Sequence, residues 1–317
     1  MELALICVKQ ICIMFLLIAA GYLCGRTFIS RETSKELSKL LLDVVNPVLI
    51  FMSYQIDPEP EKLHGLLMAV LLSAVFYIIA IGISELLFHN SDENLRAVEK
   101  FSAVYSNCGF MGMPLIYGLF GSEGVFYLTG CLTCFNIRVW THGIIIFRST
   151  DQKLPLMQTV KNVLLSPSII VMPPAFLCFI FNIRIPSVIA AAADYIGSMN
   201  TPLAMLVAGI TIAGSGKFTD IIKNKRIYYI SAVRLLIIPI IFTAVCLLFK
   251  GFGADDTVLM TIVTAAACPA AATGVIYAVN FGKNSEYASH VFAATTVLSC
   301  ITLPTIITLT QLVKSII

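Results

Sequence analysis

The chain has 317 residues, of which 58% are hydrophobic and 12% charged, and its net charge is +3. Ordinary soluble domains carry roughly 25% charged residues. Together with a mean hydropathy of +0.90, this excludes a fold surrounded by water and predicts an integral membrane protein whose surroundings are the lipid bilayer, with no nucleic-acid partner.

A membrane-crossing helix needs about 20 predominantly apolar residues. Ten such stretches follow one another: 3–25, 36–55, 65–88, 97–120, 123–147, 162–182, 187–214, 227–249, 256–281 and 288–312. The first lacks a basic start and runs too long before its first polar loop for a cleaved leader, so it is expected to stay in place. The second carries Asp43 and then Asn46-Pro47-Val48-Leu49. The fourth is interrupted at its centre by Asn107-Cys108-Gly109-Phe110-Met111-Gly112-Met113-Pro114 and ends in Ile116-Tyr117-Gly118 and Gly121. Arg138 lies in the fifth, with Asn136 beside it.

The longest polar stretch, residues 148–161, then separates a first set of five (1–147) from a second (162–317). An odd number of spans per half turns the second half upside down. Traces of internal similarity recur in the same order: Asn200-Thr201-Pro202-Leu203 in the seventh stretch echoes the second, and the ninth, broken around Cys268-Pro269 and Thr273-Gly274, ends in Ile276-Tyr277 and Gly282. Ser122-Glu123 and Ser285-Glu286 follow the two. The predicted fold is therefore an all-α polytopic membrane protein of ten transmembrane helices in two inverted five-helix repeats, with helices 4 and 9 broken where they cross.

Basic residues fall unevenly. Alternate loops on one side hold fourteen, from Arg26 and Arg31 through Arg148, Lys153 and Lys217 to Lys283; the other side holds Lys62, Arg184 and Lys250. The excess belongs on the cytoplasmic side, which predicts a multi-pass protein of the cell membrane with both termini outside. All ten cysteines lie in apolar stretches as small core residues. Cys131 and Cys134 form a CxxC with His142 two turns on, but further ligands are missing, so no metal and no cofactor are expected.

The two interruptions carry the chemistry. A helix that stops and restarts at mid-bilayer presents unpaired amide hydrogens and the positive end of its dipole at the restart. Two such ends make a site for an anion without a fixed cation, with Asn107 and Thr273 as neutral donors. The competing account is that Gly109, Gly112 and Gly274 permit close helix contact while Pro114 and Pro269 kink continuous helices.

Ionisable groups inside the stretches come next, since each is costly unless paired or hydrated. Arg138 either pairs with Asp43, at a similar depth, or faces water and attracts a carboxylate. Arg234 either plays the equivalent part in the second half or snorkels to headgroups. Asn46 and Asn200, next to prolines, either satisfy carbonyls locally or turn to the site.

The run Asn107-x-Gly109-Phe110-x-Gly112-x-Pro114-Leu115, with Trp140-Thr141-x-Gly143 and Arg234-Leu-Leu-Ile-Ile-Pro239, resembles the motifs of bacterial members of the auxin efflux carrier family. These are relatives of the plant PIN transporters that include malate permease-like proteins, and the likeness extends over essentially the full chain. It implies a scaffold of helices 1, 2, 6 and 7 that commonly forms a homodimer and a transport domain of helices 3–5 and 8–10. It also implies crossover prolines at Pro114 and Pro269, and an anionic solute beside the crossing with Asn107 as a ligand. The long plant loop is absent, which removes any basis for auxin. The expected activity is secondary transport of a small organic anion, such as the dicarboxylate malate, rather than enzymatic catalysis. The coupling ion, H+ or Na+, and the direction stay open, as does a solute sensor.

Overall fold

The computed structural model describes residues 2–148, 161, 164–215, 221, 223–249 and 255–316. The loop expected at 148–161 lies, except for its end residues, outside the described residues, as do Lys153, Lys217 and Lys250. The described chain is helical: α1 Glu2–Thr27, α2 Arg31–Leu40, α3 Asn46–Ser53, α4 Pro60–Leu87, α5 Glu93–Val104, α6 Met113–Arg138, α7 Ile144–Phe147, α8 Pro167–Ile180, α9 Ser187–Ser198, α10 Asn200–Ala213, α11 Lys225–Ala232, α12 Ile238–Phe249, α13 Asp256–Ala267, α14 Thr273–Asn280 and α15 Ser285–Ile316. The β pairing among described residues is a lone antiparallel bridge between Ser106 and Ala270.

Helix starts follow capping chemistry. Side-chain oxygens of Ser30, Asp92, Asn224 and Asp255 accept from first-turn amides of α2, α5, α11 and α13, each replacing a carbonyl the first turn lacks. Prolines open α4 and α8, where a missing N–H does no harm.

Among the described residues, widened π turns at Leu41–Val45, Val139–Gly143 and Val233–Ile237 join helices end to end, and another at Cys108–Gly112 opens α6. Three of them stand directly ahead of Pro47, Pro114 and Pro239. A proline removes one donor and pushes on the carbonyl four residues back; widening that turn makes room for the ring.

Among the described residues, six helices have the length and apolar character of a crossing: Val8–Thr27, Pro60–Leu87, Cys108–Phe147, Ser187–Ala213, Lys225–Leu248 and Ser285–Lys314, with Pro167–Ile180 and Asp256–Ala267 as shorter apolar helices. Against the ten stretches read from sequence, the difference lies in the breaks. Residues 97–120 are divided between α5 and the start of α6, and 256–281 between α13 and α14. The 40-residue Cys108–Phe147 run contains Gly121, whose φ of 59° interrupts it. Gly282 sits at φ 64° after α14. Both need the left-handed freedom that only glycine has cheaply.

Close helix contact relies on glycine at one crossing in particular. A Cβ on Gly209 of α10 would lie 2.1 Å from the Ile18 carbonyl oxygen of α1, and one on Gly21 would lie 2.3 Å from the Leu206 oxygen. The two backbones therefore touch, as small residues allow in lipid.

Candidate functional site

Helix α5 ends at Val104, the backbone extends through Tyr105, and a new helix begins after Asn107. In the second half α13 ends at an extended Cys268 and α14 begins at Thr273. The two extended pieces lie antiparallel. The Asn107 amide donates to the Pro269 carbonyl at 2.8 Å and the Ala271 amide to the Tyr105 carbonyl at 2.9 Å, while the Ala270 amide donates to Thr295 Oγ1 of α15 at 3.2 Å. Backbone polar groups inside a bilayer must find partners, and each break finds them largely in the other.

The carbonyls that end α5 and α13 converge on Arg234, which is fully buried. Its Nε donates to Cys268 O at 3.1 Å, Nη1 to Ala103 O at 3.1 Å and Val104 O at 3.4 Å, and Nη2 to Cys268 O at 3.0 Å and to Ala266 O. The guanidinium carbon lies 5.7 Å from the Phe76 ring centre, a cation–π contact. The snorkelling expected as one option for Arg234 is therefore corrected: the side chain turns inward because five donors find four carbonyls there and none in hydrocarbon.

Of the residues singled out from sequence, Asn107, Gly112, Pro114 and Pro269 are buried at the paired breaks. A Cβ on Gly112 would come within 3.2 Å of Cys268 Sγ, so the two breaks touch there, whereas one on Gly109 would meet only Leu132 at 3.9 Å. The Thr273 Oγ1 is buried and has no hydrogen-bond partner. Asn136 Nδ2 donates back to Leu132 O at 2.8 Å within its own helix. Asn46 is buried, its Oδ1 accepting from Asn200 Nδ2 at 2.6 Å, and the same Asn200 Nδ2 lies 3.6 Å from Met113 Sδ beside the first break. The pairing of Asp43 with Arg138 is not formed. Asp43 is exposed in the first π turn, and the ion pairs among the described residues join other partners. The half-buried Arg138 instead contributes its carbonyl, which accepts from Tyr105 Oη at 2.9 Å.

Sequence reading passed over the tyrosines. Tyr105 also reaches His142 Nδ1 at 3.0 Å, and Tyr277 Oη donates to Val139 O at 3.1 Å. The turn Val139–Gly143 loosens these carbonyls and one tyrosine from each half takes them. Glu99 was likewise missed. Fully buried, it takes Arg226 through both carboxylate oxygens, one at 2.8 Å, with Asn90 and Tyr287 each at 3.2 Å. Its signal was a carboxylate inside the periodic apolar run Ala97-Val98-Glu99 and Phe101-Ser102.

A cavity of about 540 Å³ opens elsewhere, lined by Glu59, Glu61, Lys62, His64, Glu123 and Asp255 among others. Four carboxylates there repel an anion, and none of the candidate solute-binding residues read from the sequence lines it.

A family model described as membrane transport protein matches residues 6–168 and 158–307. An uncharacterized transporter of Methanothermobacter thermautotrophicus is 25% identical over 293 residues, 87% of this chain and 89% of its own. The uncharacterized transporter MJ1031 of Methanocaldococcus jannaschii is 25% identical over 213 residues, 63% of this chain and 67% of its own. With interrupted apolar helices paired through their backbones and most of its length matched, the chain belongs to the membrane transport protein family, that of the auxin efflux carriers.

Proposed function

We propose that this chain is a secondary carrier of a small organic anion, a dicarboxylate such as malate being the first to try, working by alternating access around the paired breaks. One observation carries the reading: a single guanidinium takes the carbonyls at both stopped ends, Ala103, Val104, Ala266 and Cys268. The restarting ends at Cys108 and Thr273 then keep their positive dipole ends without a neighbouring negative charge. Amides there, the Asn107 side chain and the unpartnered Thr273 hydroxyl form the binding set, and Arg138, whose guanidinium makes no ion pair or hydrogen bond among the described residues, draws the anion in.

The ten-helix inverted repeat belongs to the same proposal. In its support, Gly121 and Gly282 stand at matching sequence places with φ near 60° in both, and the matched Asn46 and Asn200 bond to one another. The division into a scaffold (helices 1, 2, 6, 7) and a transport domain (3–5, 8–10) is supported by where bonds fall. Arg234, Glu99 and Tyr277 tie only segments of the second group together, and Gly21 with Gly209 only segments of the first. Tyr54 Oη with Thr129 Oγ1, 2.7 Å, crosses between them and breaks when one group slides on the other.

The test is thermal unfolding of the purified protein against a panel of mono-, di- and tricarboxylates, since a ligand held by the folded state raises the midpoint. A dicarboxylate shift that shrinks in Asn107→Ala and Thr273→Val supports the reading. Equal shifts in all three proteins, or none with any carboxylate, defeat it.

A further inference from the structure

Carbonyls at the ends of stopped half-helices are where membrane carriers hold the cations they transport. In this chain that place is filled from within. The carbonyls of Ala103, Val104, Ala266 and Cys268 surround Arg234, whose five N–H donors are all engaged. A guanidinium buried this completely needs compensation, and none of its hydrogen-bond partners is a carboxylate. The two helix ends, each with partial negative charge, and the Phe76 ring provide the compensation. The neighbouring Pro239 contributes by widening the Val233–Ile237 turn that carries the side chain to the gap.

We infer that Arg234 is a tethered replacement for a coupling cation, so that this chain moves its anion without a co-transported alkali metal ion at the paired breaks. A coupling ion must bind on one side and leave on the other; a cation fixed to the chain cannot leave. It balances the helix ends in every conformation and contributes no ion gradient to the work. The inference rests on the carrier reading for its consequence, but the occupancy of the carbonyl cluster is testable by itself.

The first experiment is cation rescue. Purified full-length Arg234→Gly is unfolded thermally in millimolar guanidinium chloride, sodium chloride or choline chloride at constant ionic strength. The expected result is a lowered midpoint that climbs saturably by several degrees with guanidinium, less with sodium and not with choline, while the wild type stays flat in all three. A wild type stabilised saturably by sodium over choline overturns the inference, as does a folded variant indifferent to every small cation. Should Arg234→Gly yield no folded protein, Arg234→Lys, which keeps the charge with three donors, takes its place: folded and flat to sodium is expected, and a saturable sodium response overturns. The second experiment is counterflow of labelled malate by wild type in proteoliposomes with sodium replaced by choline. A rate ratio near one supports the inference, and a loss of flux on removing sodium overturns it. Absence of malate flux in both salts counts against the carrier reading while the thermal result decides the occupancy.

Discussion

Two arginines stand beside widened turns in this molecule, and the turns use them in opposite ways. At Val233–Ile237 the turn drives Arg234 into the interior, where every donor is used and the side chain is sealed. At Val139–Gly143 the turn offers its backbone instead. The carbonyls of Arg138 and Val139 accept Tyr105 and Tyr277, and the Arg138 side chain stays half-exposed. An arginine in an apolar run is thus not one kind of feature: a saturated guanidinium fixes structure, and an unsaturated one is left to meet solute or water.

The sharpest way to break this contrast is Arg234→Met. It leaves up to four buried carbonyls without partners, and at roughly 1–3 kcal/mol for each orphaned acceptor the loss should be at least about 4 kcal/mol. Thermal unfolding in detergent should show a collapse of the midpoint or no monodisperse protein. An intact midpoint would mean that the paired breaks do not depend on the clamp.

Next in size is Gly143→Val inside the other turn, where even a Cβ would lie 3.1 Å from Phe101 and 3.5 Å from Tyr277. Overpacking of this kind costs about 1–3 kcal/mol, measured by the same scan, and a neutral result would show that the turn has slack. Tyr277→Phe removes the bond to Val139 O alone and should cost about 1 kcal/mol. Its pairing with Tyr105→Phe in a double-mutant cycle reads whether the two halves grip the turn independently. The smallest effect on stability belongs to Arg138→Gln, within about 0.5 kcal/mol as for other sites without fixed partners. Its dicarboxylate thermal shift should nevertheless fall markedly. A stability loss as large as that of the Arg234 variant would erase the distinction between the two arginines.

The amino-acid string carried the interruptions openly. Gly109, Gly112, Pro114, Pro269 and Gly274 cannot all sit comfortably in continuous helices, and 105–107 and 268–272 are where regular hydrogen bonding stops. The partner of each residue was not legible. Arg234 lies 34 residues from Cys268 and 131 from Ala103, distances over which residue type has no say. Asp43 and Arg138 were matched by estimated depth. Depth ignores rotation about the helix axis, which leaves Asp43 exposed and apart. Asn46 and Asn200 were recognisable as counterparts, but not as each other's bond. Length rules mislead at the breaks as well, because a helix of 12 residues such as α5 or α13 is too short to count as a crossing alone.

The widened turns have a last consequence, one of phase. The three that lie within continuous helical runs each insert one residue into a helix that advances about 100° per residue. Every side chain beyond Val45, Gly143 or Ile237 therefore points about a quarter-turn or more away from where an unbroken spiral would aim it. Deleting Leu236 within Val233–Ile237 would rewind the spiral and swing all of α12 against its neighbours with no change in charge.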